Sequence, residues 1–141
     1  LAFHKNSYVG RTFIKPTQKE RESAVHLKLS VLSSVVKGKR LVLIDDSIVR
    51  GTTMASLIRM LKDAGATEVH VRISSPPFLF PCYYGTDVPS NDQLIASSHT
   101  AAEICASIGA DSLGYMKLED LKQMTGDLPL CKACFDSHYP V

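Results

Sequence analysis

Residues 41–53 read LVLIDDSIVRGTT, and this stretch decides the fold. Four aliphatic residues, Leu41 to Ile44, run into two adjacent carboxylates, Asp45 and Asp46, and then into a polar loop that ends in Gly51-Thr52-Thr53. A short unbroken apolar run is expected of a central strand buried on both faces. Beyond it, Met54, Leu57, Ile58 and Leu61 recur at helical spacing, and Gly65 is placed to stop that helix. Residues 68–73, EVHVRI, are rich in β-branched side chains and read as a second strand. Strand, helix and strand within about thirty residues make a βαβ unit, so the sheet is expected to be parallel with a right-handed crossover.

Working outward, residues 1–18 carry mixed polarity and read as a loop or irregular strand. From Glu20 to Val36, the residues Ala24, Val25, Leu27, Leu29, Val31, Leu32, Val35 and Val36 give a rough helical spacing that predicts a helix, followed by a turn at Lys37-Gly38-Lys39. Pro76 and Pro77 end the second strand, and PPFLFPCYYGTDVPSNDQ, residues 76–93, reads as a long ordered excursion. Thr100 and Glu103 have the spacing of a capping box that opens a helix, which Gly109 stops. Asp111 to Met116 suits a further strand, and Leu118 to Met124 a last helix closed by Gly126. The expected class is α/β: a parallel sheet with flanking helices over residues 1–126 and a cysteine-containing C-terminal segment over 127–141.

The 141 residues suffice for one domain with a real core. Charged residues make up 21% and the net charge is +2, with acids and bases interspersed, which argues against a nucleic-acid-binding face. The apolar runs are too short to span a bilayer, so no membrane partner is expected. A start at Leu1 instead of Met is expected of a piece of a longer chain. The four cysteines, Cys82, Cys105, Cys131 and Cys134, come without a recognisable secretion signal, so a reduced, cytoplasmic setting is expected.

In an open α/β sheet, ligands bind beyond the carboxyl ends of the strands, where Asp45 and Asp46 fall. Two acids there suit sugar hydroxyls or a hydrated Mg²⁺. The loop Ser47-Ile48-Val49-Arg50-Gly51 leads into a helix whose first N–H groups and positive dipole end favour an anion. Thr52 and Thr53 add hydroxyls, and either can cap the helix. Acids for ribose hydroxyls and loop for phosphate together fit a phosphorylated sugar. Neither Gly-Lys-Ser/Thr nor G-x-G-x-x-G is present, which sets aside a Walker loop and a dinucleotide fingerprint. The plainer alternative is a capped helix with two solvated acids. Arg50 can reach a phosphate or stay in solvent.

IDDSIVRGTT resembles the phosphoribosylpyrophosphate (PRPP) motif of type I phosphoribosyltransferases, and its Ser-Ile-Val-Arg form resembles the glutamine PRPP amidotransferase branch. The resemblance extends to NSYVGRTFIKPTQKERE (6–22), GATEVHVRISSPPFLFPCYYG (65–85), NDQLIASSH (91–99) and CKACFDSHYP (131–140). It implies that Asp45 and Asp46 bind ribose hydroxyls and Mg²⁺, and that Ser47, Ile48, Val49, Arg50, Gly51, Thr52 and Thr53 bind the 5′-phosphate. It further implies that Tyr8, Arg11 and Ile14 belong to a loop that closes over PRPP and shelters ammonia. The implied reaction is transfer of glutamine-derived ammonia to PRPP at the start of purine synthesis. The glutamine-hydrolysing domain would lie upstream, as would the pyrophosphate loop, in a homo-oligomeric protein. No residue of the 141 is implied as a catalytic acid or base, and the segment alone is expected to make no phosphoribosylamine. A base-salvage phosphoribosyltransferase and a non-catalytic PRPP-sensing domain are the rival readings.

Cys131-Lys132-Ala133-Cys134 is a CxxC, and Cys82 in the proline- and aromatic-rich excursion is a candidate third thiol. The resemblance implies that Cys82, Cys131 and Cys134 hold a [4Fe–4S] cluster whose fourth ligand lies upstream. Zinc held by these three and His138, at Cys134-x₃-His138 spacing, is the alternative, and a redox dithiol a third. Cys105, inside AAEICASIGA, reads as a core residue.

Overall fold

Three parallel strands carry the fold: β3 (Arg40–Asp45), β4 (Glu68–Ile73) and β5 (Ser112–Tyr115), in that spatial order. The computed structural model describes residues 2–5, 29–85, 88, 90–126 and 128–140. Two further strands, β1 (Phe3–Lys5) and β2 (Leu29–Val31), pair antiparallel with Phe3 opposite Val31. The helices are α1 (Ser33–Val36), α2 (Thr52–Asp63), α3 (Ala101–Ile108), α4 (Leu118–Thr125) and α5 (Ala133–Asp136). Two 3₁₀ turns, Asn91–Gln93 and Ile95–Ser97, lie in the excursion between β4 and α3.

The βαβ unit is present as expected. In register, Leu41, Leu43 and Asp45 stand beside Val69, Val71 and Ile73, and Val71 and Ile73 beside Leu113 and Tyr115. That face meets Met54, Ile58 and Leu61 of α2 and Ile104 and Ile108 of α3 in one buried cluster. The spacing 54, 57, 58, 61 turns one stripe of α2 inward, as its sequence predicts. The helix closes in a Schellman motif: Gly65 N–H donates to Lys62 O at 2.9 Å and Ala66 N–H to Leu61 O at 3.0 Å, with Gly65 at φ +96°. At the start of α3 the Thr100–Glu103 capping box forms in both directions, and Gly109 ends the helix at φ +74°. Ile58 is 1% exposed, so Ile58→Ala is expected to cost about 2–5 kcal/mol, measurable as a shifted urea midpoint at unchanged slope.

Two expectations need correction. The helix predicted from Glu20 does not run through to Val36: its described part begins with strand β2, and only Ser33–Val36 is helical. Ser30 breaks the apolar run between Leu29 and Val31, so the stretch also carries the two-residue period of a strand, and pairing with β1 selects that period. Nor is β3 buried on both faces. Its exposure alternates, with Val42 at 64% and Ile44 at 72%. The buried residues of α2 and α3 join the cluster on the Leu41–Leu43 face. Arg40, Glu68, His70 and Arg72 share the other face with Val42 and Ile44. There Glu68 accepts from Arg40 Nε at 2.7 Å, and His70 lies 2.8 Å from Glu68 Oε2 and 2.9 Å from Ser112 Oγ.

Candidate functional site

Asp45 is the last residue of β3, and its main chain is fixed from the neighbouring strand. Ser74, just past β4, donates to the Asp45 carbonyl through its N–H at 3.0 Å and its hydroxyl at 3.3 Å. The Asp45 carboxylate lies on the helix side of the sheet, half-buried. Burial pushes its carboxyl above the ordinary value and the nearby Asp46 charge adds to the rise, while the Asp46 N–H bonded to Oδ1 at 3.0 Å opposes it. Asp46 is exposed in the turn and accepts from Ser47 Oγ at 3.0 Å. An acid whose ionised form is disfavoured by burial and by a second acid is stabilised by a cation. Mg²⁺ is commonly held by one or two carboxylates plus substrate oxygens, so this pair fits such an ion.

The loop after the acids is tied down at several points. Ile48 is 3% exposed and belongs to the core, which leaves only its backbone to face a ligand. Gly51, not a threonine, is the N-cap of α2, at φ +79° and with no side-chain cap. The capping role expected of Thr52 or Thr53 is thus not seen; both are the first residues of the helix proper, half-buried, and the Ala55 N–H is the one that reaches back to Gly51 O, at 2.9 Å. A helix start without a side-chain cap presents its first-turn donors to an incoming anion. A Cβ on Gly51 would stand 3.2 Å from Ile95 Cδ1 and 3.3 Å from Ile108 Cγ2, so the backbone sits hard against the layer below.

That layer is where local sequence reading fell short. Arg50 Nη2 donates to Gln93 Oε1, and Ile95 N–H donates to Val49 O at 2.9 Å. The partners lie more than forty positions apart, and no local pattern at Gln93 or Ile95 announces them. Among the described residues, the buried Ser75 and Tyr115 hydroxyls have no hydrogen-bond partner, and burial pushes the Tyr115 hydroxyl upward. Tyr8, Arg11 and Ile14 lie outside the described residues.

The cysteine region is built by docking the excursion on the tail. Leu79 and Phe80 N–H both donate to Cys134 O, at 2.9 and 3.1 Å, and Tyr139 OH donates to Pro81 O at 2.7 Å. Tyr84 OH donates to Pro140 O, and Phe78 packs on Phe135 with ring centroids 5.1 Å apart. Cys82 and Cys134 are thereby half-buried, Cys131 exposed, and none of the four cysteines is in a disulfide. Burial pushes the Cys134 thiol up, and the neighbouring Cys82 and Cys131 add to the rise, so the three share one neighbourhood. Gly85 N–H donates to Cys82 Sγ at 3.5 Å. Among the described residues, no three metal-ligating side chains lie close enough to hold one ion. His138 Nδ1 lies 2.8 Å from Asp136 O. Cys105 is half-buried on α3, with its Sγ donating to Ala110 O at 3.4 Å.

Comparison with known proteins bears on these two regions. The phosphoribosyl transferase domain family matches residues 5–74, which include the acid pair and α2. Over 139 residues, 97% of this chain, the sequence is 53% identical to an amidophosphoribosyltransferase of Synechocystis, of which it covers 28%. It is 55% identical to that of Methanocaldococcus jannaschii over 96% of the chain and 29% of the relative. Among solved structures, the glutamine PRPP amidotransferase of Bacillus subtilis complexed with ADP and GMP superposes with a TM-score of 0.82 at 52% identity, covering 99% of this chain and 32% of that one. The chain spans less than a third of the length of these relatives. Since sequence and backbone agree along nearly all of its length, the chain has the type I phosphoribosyltransferase fold of the segment it matches in these amidophosphoribosyltransferases.

Proposed function

We propose that this segment binds PRPP for an amidophosphoribosyltransferase, the whole natural protein transferring glutamine-derived ammonia to PRPP to give phosphoribosylamine and pyrophosphate. The observation that carries the reading is the continuous Asp45–Thr53 arrangement: two acids at a strand's carboxyl end, then a braced loop opening into an uncapped helix start. In this reading Asp45 and Asp46 accept hydrogen bonds from the ribose hydroxyls. The N–H groups at the start of α2, with the Ser47, Thr52 and Thr53 hydroxyls, take the 5′-phosphate. Fixing the phosphate at one end and the ribose at the other aims the anomeric carbon at the nucleophile. When bound by the acids and the substrate oxygens, Mg²⁺ supplies neutralising charge for the departing pyrophosphate. Ammonia is already nucleophilic, so no side chain here acts as a strong base, and Tyr8, Arg11 and Ile14 would close over the sugar to keep water out.

The same reading assigns residues 1–126 to the PRPP-binding domain and 127–141 to a cysteine segment. The glutamine-hydrolysing domain lies upstream in the natural chain, the protein assembles as a homo-oligomer, and it works in the cytoplasm. Cys82, Cys131 and Cys134 would hold a [4Fe–4S] cluster: thiolates in one neighbourhood, with a backbone N–H on Cys82 Sγ, suit iron–sulfur ligation, although they must draw closer than they stand here. Whole protein purified without air is expected to contain iron and acid-labile sulfide in equal amounts, lost in Cys131→Ser. One equivalent of zinc without sulfide would contradict the cluster.

The reaction itself is tested by pyrophosphate release from Mg–PRPP by the whole natural protein. Release is expected with glutamine or ammonium and not with free purine bases. Release driven by a free base and indifferent to ammonium would replace this reading with base salvage, and tight PRPP binding without any release would replace it with a sensor.

A further inference from the structure

We infer that the segment 91–97 is a positioning brace for the phosphate loop and that Gln93 acts in PRPP binding through Arg50; the inference rests on the phosphosugar reading above. Three contacts converge on adjacent loop residues. Gln93 Oε1 accepts from Arg50 Nη2, Ile95 N–H donates to Val49 O at 2.9 Å, and Ile95 Cδ1 lies 3.2 Å from where a Gly51 Cβ would stand. The brace is itself rigid. Leu94 is 1% exposed, its N–H donates to Asn91 O at 2.9 Å, and Ser97 Oγ donates to Asn91 O at 3.0 Å and Leu94 O at 2.7 Å. Its far end runs into the α3 capping box through His99 N–H, which donates to Ile95 O at 3.1 Å.

A loop that binds phosphate through backbone N–H groups gains affinity when those groups are aimed in advance, because ordering them on binding costs entropy. The brace does this for Val49 and Gly51 through the main chain. Its effect on Arg50 is electrostatic as well. An arginine four residues from Asp46 is drawn towards the acid pair, where it would occupy the groups meant for the sugar. Gln93, a neutral acceptor, holds the guanidinium away from the acids without cancelling its charge. The remaining N–H donors stay available to an anion.

The test is a double-mutant cycle in the whole natural protein, read by calorimetric titration with Mg–PRPP. Gln93→Leu, which keeps bulk but removes the acceptor, is expected to weaken PRPP by about fivefold. Its melting temperature should stay within about 2 °C of wild type, as for a surface change. In an Arg50→Ala background the same substitution is expected to have no further effect, since its partner is gone. Equal weakening in both backgrounds, or none in either, would overturn the positioning role. Failure of the wild-type protein to bind PRPP would remove the phosphosugar reading and the brace with it, an outcome separate from those two.

Discussion

Replacing both acids, as Asp45→Asn with Asp46→Asn, is expected to lower kcat/KM for ammonia-dependent pyrophosphate release by at least about 100-fold, since two hydrogen bonds to charged groups are worth about 3 kcal/mol or more. The overall fold should survive, because the amide oxygen at position 45 still accepts from the Asp46 N–H and the Asp45 carbonyl keeps both bonds from Ser74. Asp45→Asn alone is expected to raise the melting temperature at neutral pH. For an acid whose value is raised on folding, the folded chain holds the proton more tightly than the unfolded chain. Its contribution to stability is best where Asp45 is protonated. It falls as pH rises from the unfolded-chain value through the folded one, so the full cost is present at neutral pH. Removing the charge lifts that cost while damaging the site, the trade expected of a functional carboxylate. The check is thermal melting at pH 7 beside steady-state kinetics. Turnover within tenfold of wild type in the double variant would leave the acids as solvated surface groups.

Gly51→Val is expected to be the most damaging single substitution in the loop. Gly51 holds φ +79°, which costs about 1–2 kcal/mol for an L side chain and more for a β-branched one. The new side chain also meets Ile95 and Ile108, with its Cβ already at 3.2 and 3.3 Å, and overpacking of this kind costs about 1–3 kcal/mol. The sum predicts a loss of roughly 2–5 kcal/mol in urea unfolding and a PRPP affinity at least about tenfold weaker. Gly38, also at positive φ but with nothing within 4 Å of an added Cβ, provides the contrast: Gly38→Ala should carry the backbone cost alone and leave PRPP binding unchanged.

The βαβ unit was legible in the sequence because its signals are local: an apolar run, a stripe at 54, 57, 58 and 61, and a glycine where the Schellman motif needs one. The Thr100–Glu103 box was legible for the same reason. The exposure of Val42 and Ile44 was not, because an apolar residue announces only that it can be covered, and α2 and α3 pack on the opposite face. The strand at Leu29–Val31 was misread because a short run supports two periods, and a partner from the other end of the segment, Phe3–Lys5, selects one. At the candidate site, the residues that touch a ligand in the proposed reading were visible as a motif. The residues that hold that motif in shape, Ser74, Gln93 and Ile95, were not, since their roles exist only through contacts across dozens of positions. The capping role looked natural for Thr52 and Thr53. The glycine's left-handed conformation displaced it, and with it the helix start was left open for an anion.

Whether residues 45–53 hold PRPP is decided by calorimetric titration of the whole natural protein with Mg–PRPP. Saturable binding of one PRPP per chain is expected, lost in the Asp45→Asn/Asp46→Asn variant and competed by ribose 5-phosphate. Binding that persists undiminished in the variant, or no saturable binding by the wild-type protein, would contradict a PRPP site there.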